Sequence, residues 1–389
     1  MTMPWLTLAL EELASVQRGK FSARPRNDPR YYGGDIPFIQ TGDVANGAGR
    51  VRSYSQTLNT DGLSVSKLFP KGSLVVTIAA NIGDVAKVEF DFACPDSLVV
   101  VQANEDVNSD WLQYSLESKK ELLDSLAPQN AQKNINLEIL RPLALDVPPL
   151  AEQKRIAGAI KTWDTAIQKT EQLIAAKERH YSHELSRLIS RCQHPHAHVG
   201  AFAEEVSARN RGGNEARVLS VTNSRGFVLP EDQFERRVAS ADLSNYKVVR
   251  RGQYAYNPSR INVGSIARLN GWDDGVLSPM YVVFRLDEAK VDSNYFLHWL
   301  NSHEVRQRIK NSAQGSVRET VSFSEFAALT IPLPDTDKQT AIARYLNALR
   351  EEIDLLGQSV TALKTQKRGL MQKLLTGEWR LLVPAETDV

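Results

Sequence analysis

Two stretches of the chain carry apolar residues at alternating steps of three and four, or multiples of them. The first runs Ile156, Ile160, Trp163, Ile167, Ile174, Tyr181 and Leu188. The second runs Ile342, Leu346, Leu349, Ile353, Leu356, Val360, Leu363, Leu370 and Leu374. Apolar spacing of seven held over several heptads makes a seam that a partner helix covers. Each stretch predicts a helix about 60 Å long, from the α-helical rise per residue. Pro148-Pro149 and Pro334 stand just before the two starts, where a proline sacrifices no internal hydrogen bond, and Gly377 is placed to end the second helix. The second seam is almost uninterrupted, whereas the first has Thr170, Lys177 and Glu184 on it. Amphipathic helices often only complete their own domain's core. At this length, projecting past a domain of about 150 residues, mutual pairing is the better expectation.

The rest of the chain alternates differently. IPFIQ, SLVVTIA, DVAKVEF and SLVVVQA in the first part, and RVLSVT, YAYN, SIARL and MYVVFRL in the second, are rich in β-branched and aromatic residues. Gly, Asn, Asp and Pro punctuate them, as expected of short strands. Helical stretches follow near Trp111 to Asp124 and near Tyr295 to Lys310.

These patterns are duplicated. NIGDVAKV (Asn81 to Val88) is identical or chemically similar to NVGSIARL (Asn262 to Leu269) at every position except Asp84 against Ser265. Upstream, Lys71-Gly72-Ser73 stands opposite Arg251-Gly252-Gln253; downstream, Asp110-Trp111-Leu112 stands opposite Asn294-Tyr295-Phe296. NINLEILRPLALDVP aligns with TVSFSEFAALTIPLP, and the register continues without a gap into the long helices, Ile156 against Ile342 and Ile167 against Ile353. The predicted architecture is a mixed α/β (α+β) fold of two repeated globular domains joined by two long coiled-coil helices that pair with each other. Its expected parts are a first domain over 1–149, a helix over 150–192, a second domain over 193–334, a helix over 335–378 and a tail over 379–389.

Composition narrows the class without settling it. With 42% hydrophobic and 24% charged residues the chain is an ordinary globular one. No apolar run approaches the roughly 18 residues that span a bilayer. The N-terminus lacks a basic start and meets Glu11 and Glu12 early, which argues against a signal peptide. Cys94 and Cys192 stand far apart, which suits a reducing cytoplasm. A net charge of +1 denies the simplest argument for a nucleic-acid partner. The basic residues are local instead: Arg18, Lys20, Arg24, Arg26 and Arg30, then Arg250, Arg251, Arg260 and Arg268.

GDIPFIQTGDV, KGSLVVTIAANIGDVA, PPLAEQKRIAGAI and the closing GLMQKLLTGEWR resemble the hallmark segments of specificity subunits of Type I restriction-modification systems. LSNYKVVRRGQYAYNPSR and LSPMYVVF look like the same domain family in the second half. The likeness covers nearly the whole chain. One departure is PLPDTDKQTAIA, where the Pro-Pro-Leu-x-Glu-Gln pattern is reduced to Lys338-Gln339, so a contact of Glu152 need not recur there. The resemblance implies two target-recognition domains, each reading half of a split DNA site and held apart by an antiparallel pair of the long helices. It also implies two methyltransferase (modification) subunits that use S-adenosylmethionine to methylate adenine, and motor-nuclease (restriction) subunits using ATP and Mg. No cofactor is expected in this chain itself, and the cysteine usage makes a cytoplasmic location the expectation. A pseudo-two-fold protein suits half-sites separated along a duplex.

The chemistry of an enzyme is not legible. There is no GxxxxGK[ST] loop. Asn257 to Arg260 (NPSR) lacks the second proline and the aromatic of an amino-methyltransferase motif. His180, His183, His194, His196, His198 and Cys192 cluster in sequence, but their irregular spacing and single cysteine argue against a zinc site. His194 to His198, alternating with Pro195 and Ala197, read better as a linker between the first helix and the second domain. Candidate DNA-contacting residues are Arg24, Arg26, Gln40, Thr41 and Asn81 in the first domain. In the second they are Asn223, Arg225, Asn257, Arg260 and Asn262, with Arg260 preferred. Turn formation competes as the role of each asparagine, above all Asn81 and Asn262 beside Gly83 and Gly264. Two rival readings stay open: a DNA-binding regulator, and a coiled-coil scaffold outside restriction-modification.

Overall fold

The computed structural model describes residues 4–79, 81–127, 133–191, 193–213, 215–223, 225–232, 242–314 and 320–381. The chain forms two compact units, one made of Met1–Thr170 with Ser359–Val389 and the other of Glu171–Gln358.

Both units are built on the same strand order. In the first, Ala14–Arg18, Leu98–Ala103, Leu74–Thr77 and Val85–Val88 lie side by side and antiparallel, with Arg50–Val51 added in parallel at the edge. In the second, Ala203–Glu205, Val282–Leu286, Tyr254–Tyr256 and Ile266–Arg268 repeat that order, all antiparallel. The unbroken apolar runs in the central strands follow from burial of both faces. Side chains alternate across a strand. Leu74, Val76, Val99 and Val101 therefore enter one core while Val75, Leu98 and Val100 enter another. Tyr254, Tyr256, Val282 and Phe284 likewise separate from Ala255 and Val283. Each sheet is followed by a helix pair, Ser109–Ser118 with Lys120–Leu126 and Ser293–Leu300 with His303–Gln314.

The repeated glycines are needed for their backbone. Gly72 and Gly252 hold φ of 86° and 84°, and Gly83 and Gly264 hold 84° and 94°, conformations that cost a residue with a Cβ. The units differ in what is added to the shared sheet. The first carries a second sheet, Gln56–Leu58, Tyr32–Phe38, Phe92–Ala93 and Leu68–Phe69. The second carries a hairpin, Ser220–Thr222 with Gly226–Val228, and the pair Lys247–Arg250 with Asp274–Leu277.

The long helices run Leu150–Leu185, continued by a wider turn over Ser186–Ser190, and Thr336–Leu375. They are antiparallel. In the first unit Ile156, Ala157 and Ile160 share a core with Leu374 and Leu375, and Lys367 pairs with Asp164 at 2.6 Å. In the second, Tyr181, Leu185 and Ile189 share a core with Ala343, Leu346 and Ile353, and Lys177 pairs with Glu352 at 2.7 Å. Ile174, Leu188, Ile342 and Leu349 pack partly buried against that core. Ile167 and Val360 are buried, while Trp163, Leu356 and Leu363 are half-buried. The polar seam positions are satisfied: Lys177 by Glu352, Glu184 by Arg187 and the Thr170 hydroxyl by the Ala166 carbonyl. The helices thus do both things weighed from sequence, pairing with each other and completing domain cores.

A matched pair of buried glutamines joins each long helix to its domain. Gln153 accepts from the Asn108 backbone N–H at 2.8 Å and donates to the Pro148 carbonyl at 2.9 Å. Gln339 accepts from the Asp292 N–H at 2.8 Å and donates to the Pro334 carbonyl at 2.8 Å. Asn108 and Asp292 are themselves the N-caps of the helices that follow each sheet. The neighbouring position does diverge. Glu152 is clamped by Arg380 at 2.8 Å and by the Trp5 indole at 3.2 Å, whereas among the described residues Lys338 pairs with Asp335 alone.

The histidine-rich segment read as a linker is instead a strand. His196–His198 pairs with Thr330–Pro332, as Leu6–Ala9 pairs with Ala144–Val147; an unpaired edge there would leave backbone groups without partners. Cys192 lies outside the described residues, and among the described ones no group of His, Cys, Asp and Glu is arranged to hold a metal. Cys94 is buried, which pushes its thiol up to about 12. His298 is buried too. Its Nε2 meets the Asn347 side-chain oxygen at 2.8 Å and its Nδ1 the Tyr181 hydroxyl at 2.9 Å. A neutral ring donating to Asn347 and accepting from Tyr181 satisfies both contacts, and burial holds its pKa below the usual histidine value.

Candidate nucleic-acid interface

The second unit contains a cleft of about 540 Å³ with three walls. The hairpin strand Ser220–Thr222 makes the first. Its tight return is fixed by the Thr222 hydroxyl, which donates to the Gly226 carbonyl and accepts from the Arg225 N–H. The loop from Asn257 to Ser265 makes the second. The Asn257 side-chain oxygen accepts from the Ser259 N–H at 3.1 Å, its N–H donates to the Ser265 carbonyl, and left-handed Gly264 closes the turn. Buried Ser265 rivets this loop to the hairpin through a 2.7 Å bond to the Val221 carbonyl. Ser278, Met280 and Tyr281 make the third, and the Tyr281 hydroxyl meets the Ser220 hydroxyl at 3.1 Å.

The electrostatics are one-sided. Among the described residues no aspartate or glutamate lines the cleft, and Arg260 stands exposed on its rim, its side chain making no hydrogen bond or ion pair with any of them. Most other arginines of this unit are committed: Arg251 to Asp273, Arg285 to Glu204, and Arg268 to Asn270 and Asn294. A cation free of carboxylates beside polar amides and hydroxyls suits an anionic, hydrogen-bonding ligand.

Of the residues singled out in the second half, Asn223, Asn257 and Arg260 all line this cleft. Asn257 also has the turn-forming role weighed for it. Arg225 is exposed on the hairpin turn but does not line the cleft. Asn262 does not line it either, and its side-chain oxygen is buried without a partner among the described residues. The sequence reading passed over Ser259, Val263, Ser278 and Met280. Nothing in the sequence pattern marks them, and Met280 falls within the strand run MYVVFRL.

The first unit does not bring its candidates together. Arg24 donates to the carbonyls of its own loop, Ala23 at 2.7 Å and Phe21 at 3.5 Å. Arg26 is tied to Asp96 at 2.8 Å. Gln40 donates to the Gln56 side chain at 3.1 Å, and Thr41 opens the helix Thr41–Asn46. Asn81 is exposed in the turn between Leu74–Thr77 and Val85–Val88, its carbonyl accepting from the Thr77 hydroxyl. Asp84, in the place of Ser265, pairs with Lys120, so this turn is fastened to a helix and not to a hairpin.

A sequence model of the Type I restriction modification DNA specificity domain matches residues 3–178 and 254–365. The chain is 20% identical to the MjaVIII specificity subunit of Methanocaldococcus jannaschii, covering 79% of each chain. It is also 20% identical to the EcoBI specificity subunit of Escherichia coli, covering 97% of this chain and 87% of that one. Among solved structures it resembles the Type-I restriction-modification S subunit of M. genitalium, with TM-score 0.57, 16% identity and coverage of 95% and 96%. A chain from a study of assembly and conformational transition in the type I R-M system matches with TM-score 0.61, 15% identity and coverage of 97% and 98%.

Proposed function

The chain belongs to the Type I restriction modification DNA specificity family, and from that membership we propose that it selects a bipartite DNA site for a methyltransferase. Each recognition domain reads one half-site, and the antiparallel helix pair sets the gap between them. Methyl transfer is the work of two modification subunits carrying S-adenosylmethionine. Cleavage, where it occurs, falls to motor-nuclease subunits using ATP and Mg. This chain contributes binding and no chemistry. Its proposed place is the cytoplasm, where the partners of this reading work; among the described residues no helix is long and apolar enough to cross a membrane.

The observation that carries the reading at the level of residues is a cleft lined, among the described residues, by no carboxylate, with Arg260 on its rim and Asn223 and Asn257 in its walls. Arginine reads guanine, and asparagine adenine, by paired hydrogen bonds in the major groove, each pair discriminating by about 1–3 kcal/mol. In the first domain Arg24, Arg26, Gln40, Thr41 and Asn81 are proposed contacts, and in the second Arg225 and Asn262 join the cleft residues. Arg26 must then exchange Asp96 for phosphate. The test is a map of N6-methyladenine in a methylation-free host expressing the Arg260→Ala chain with its modification partner. Relaxed sequence preference confined to one half of the motif is expected; an unchanged motif and unchanged affinity overturn the assignment.

A further inference from the structure

Two large apolar side chains project into water beside Arg260: Val263 is 61% exposed and Met280 58%. They come from different walls of the cleft, Val263 from the 3₁₀ turn Ile261–Val263 and Met280 from the loop before Val282–Leu286. Single exposed apolar residues need no explanation. Two of them lining one cleft, together with a cation that has no partner among the described residues, make a composite surface with a specific chemistry. The cation suits a guanine edge or a phosphate; the apolar pair suits a ligand that presents a hydrocarbon group among polar ones. In the DNA major groove only thymine does so, through its C5-methyl group.

We infer that Val263 and Met280 are specificity-determining residues that pack against a thymine methyl in the half-site read by the second domain. This rests on the reading of the chain as a DNA-specificity subunit. Both side chains stand clear of the core, so Val263→Ala and Met280→Ala should fold as the parent does.

The experiment uses the chain assembled with its modification partner and a duplex carrying the motif mapped for the parent complex. Each thymine of the second half-site is replaced in turn by uracil, which lacks only the methyl. One such replacement should weaken binding about fourfold, the worth of one buried methyl-sized group. That loss should disappear in Val263→Ala or Met280→Ala, while replacements in the other half-site affect parent and variants alike. Equal binding of every uracil duplex, or a loss that persists undiminished in both variants, overturns the inference and leaves the specificity reading standing. Failure of the parent complex to bind its thymine duplex overturns both.

Discussion

Replacing Gln153 with leucine tests whether the repeated glutamine fastens each long helix to its domain. The change keeps the volume and removes the amide. It strands the Pro148 carbonyl, which is buried, and the Asn108 N–H, which is partly so. An unsatisfied buried group costs about 1–3 kcal/mol, so Gln153→Leu should cost about 2–4 kcal/mol. Gln339→Leu should cost at least as much, because that amide also donates to the Lys290 carbonyl at 3.1 Å. For units of this size about 3 kcal/mol lowers the melting temperature by roughly 6–12 °C. Scanning calorimetry and urea titration of the full chain read this directly. Lys338→Ala is the control. It occupies the neighbouring position in the second copy, its side chain is 65% exposed in its pair with Asp335, and such pairs contribute about 0–1 kcal/mol. Losses below about 1 kcal/mol in both glutamine variants, or a Lys338→Ala loss as large as theirs, refute the reasoning.

Inserting one heptad into both helices, after Ile167 and after Leu356, should lengthen the gap of the methylated motif. Seven residues add about 10 Å, close to three base pairs at about 3.4 Å each; an unchanged gap in the methylation map counts against the helix pair as the ruler. His298 gives a pH dependence. Its folded pKa is lowered, so the unfolded chain takes up the proton first. The stability it contributes is whole above about 6.5 and declines as pH falls toward the folded value. Urea midpoints should therefore drop more between pH 7.5 and 5.5 in the parent than in His298→Gln, and equal drops would exclude the effect. Arg380→Ala should destabilise the first unit, because Glu152 is only 4% exposed and would lose the cation that holds it. Burial alone would raise that carboxyl, yet the bonds from Arg380 and Trp5 keep it below the usual range. Urea unfolding at pH 7 measures the loss, and an unchanged midpoint would show the clamp to be idle.

The duplication was legible because it is written in local chemistry. Asn-x-Gly turns, strand runs and heptads align without reference to the rest of the chain, and left-handed Gly83 and Gly264 answer to one another in the structure. The discontinuous cores were not legible. Nothing local announces that Leu374 and Leu375 share a core with Leu10 and Trp111, because a seam residue and a core residue look alike in sequence. The strand at His196–His198 was missed for a related reason: its pairing comes from an edge more than a hundred residues away. Among the site candidates, Arg260, Asn223 and Asn257 converge because the riveted loop and hairpin bring them together. Arg24 shows the opposite limit, since an arginine that serves its own loop carries the same letter as one that serves a ligand.

The most direct test of the central claim is a genome-wide map of N6-methyladenine after co-expression of the chain with its modification partner in a methylation-free host. A motif in two defined halves separated by a gap of constant length is the predicted result. An assembled complex that leaves no methylation, or that marks one continuous motif, would contradict it.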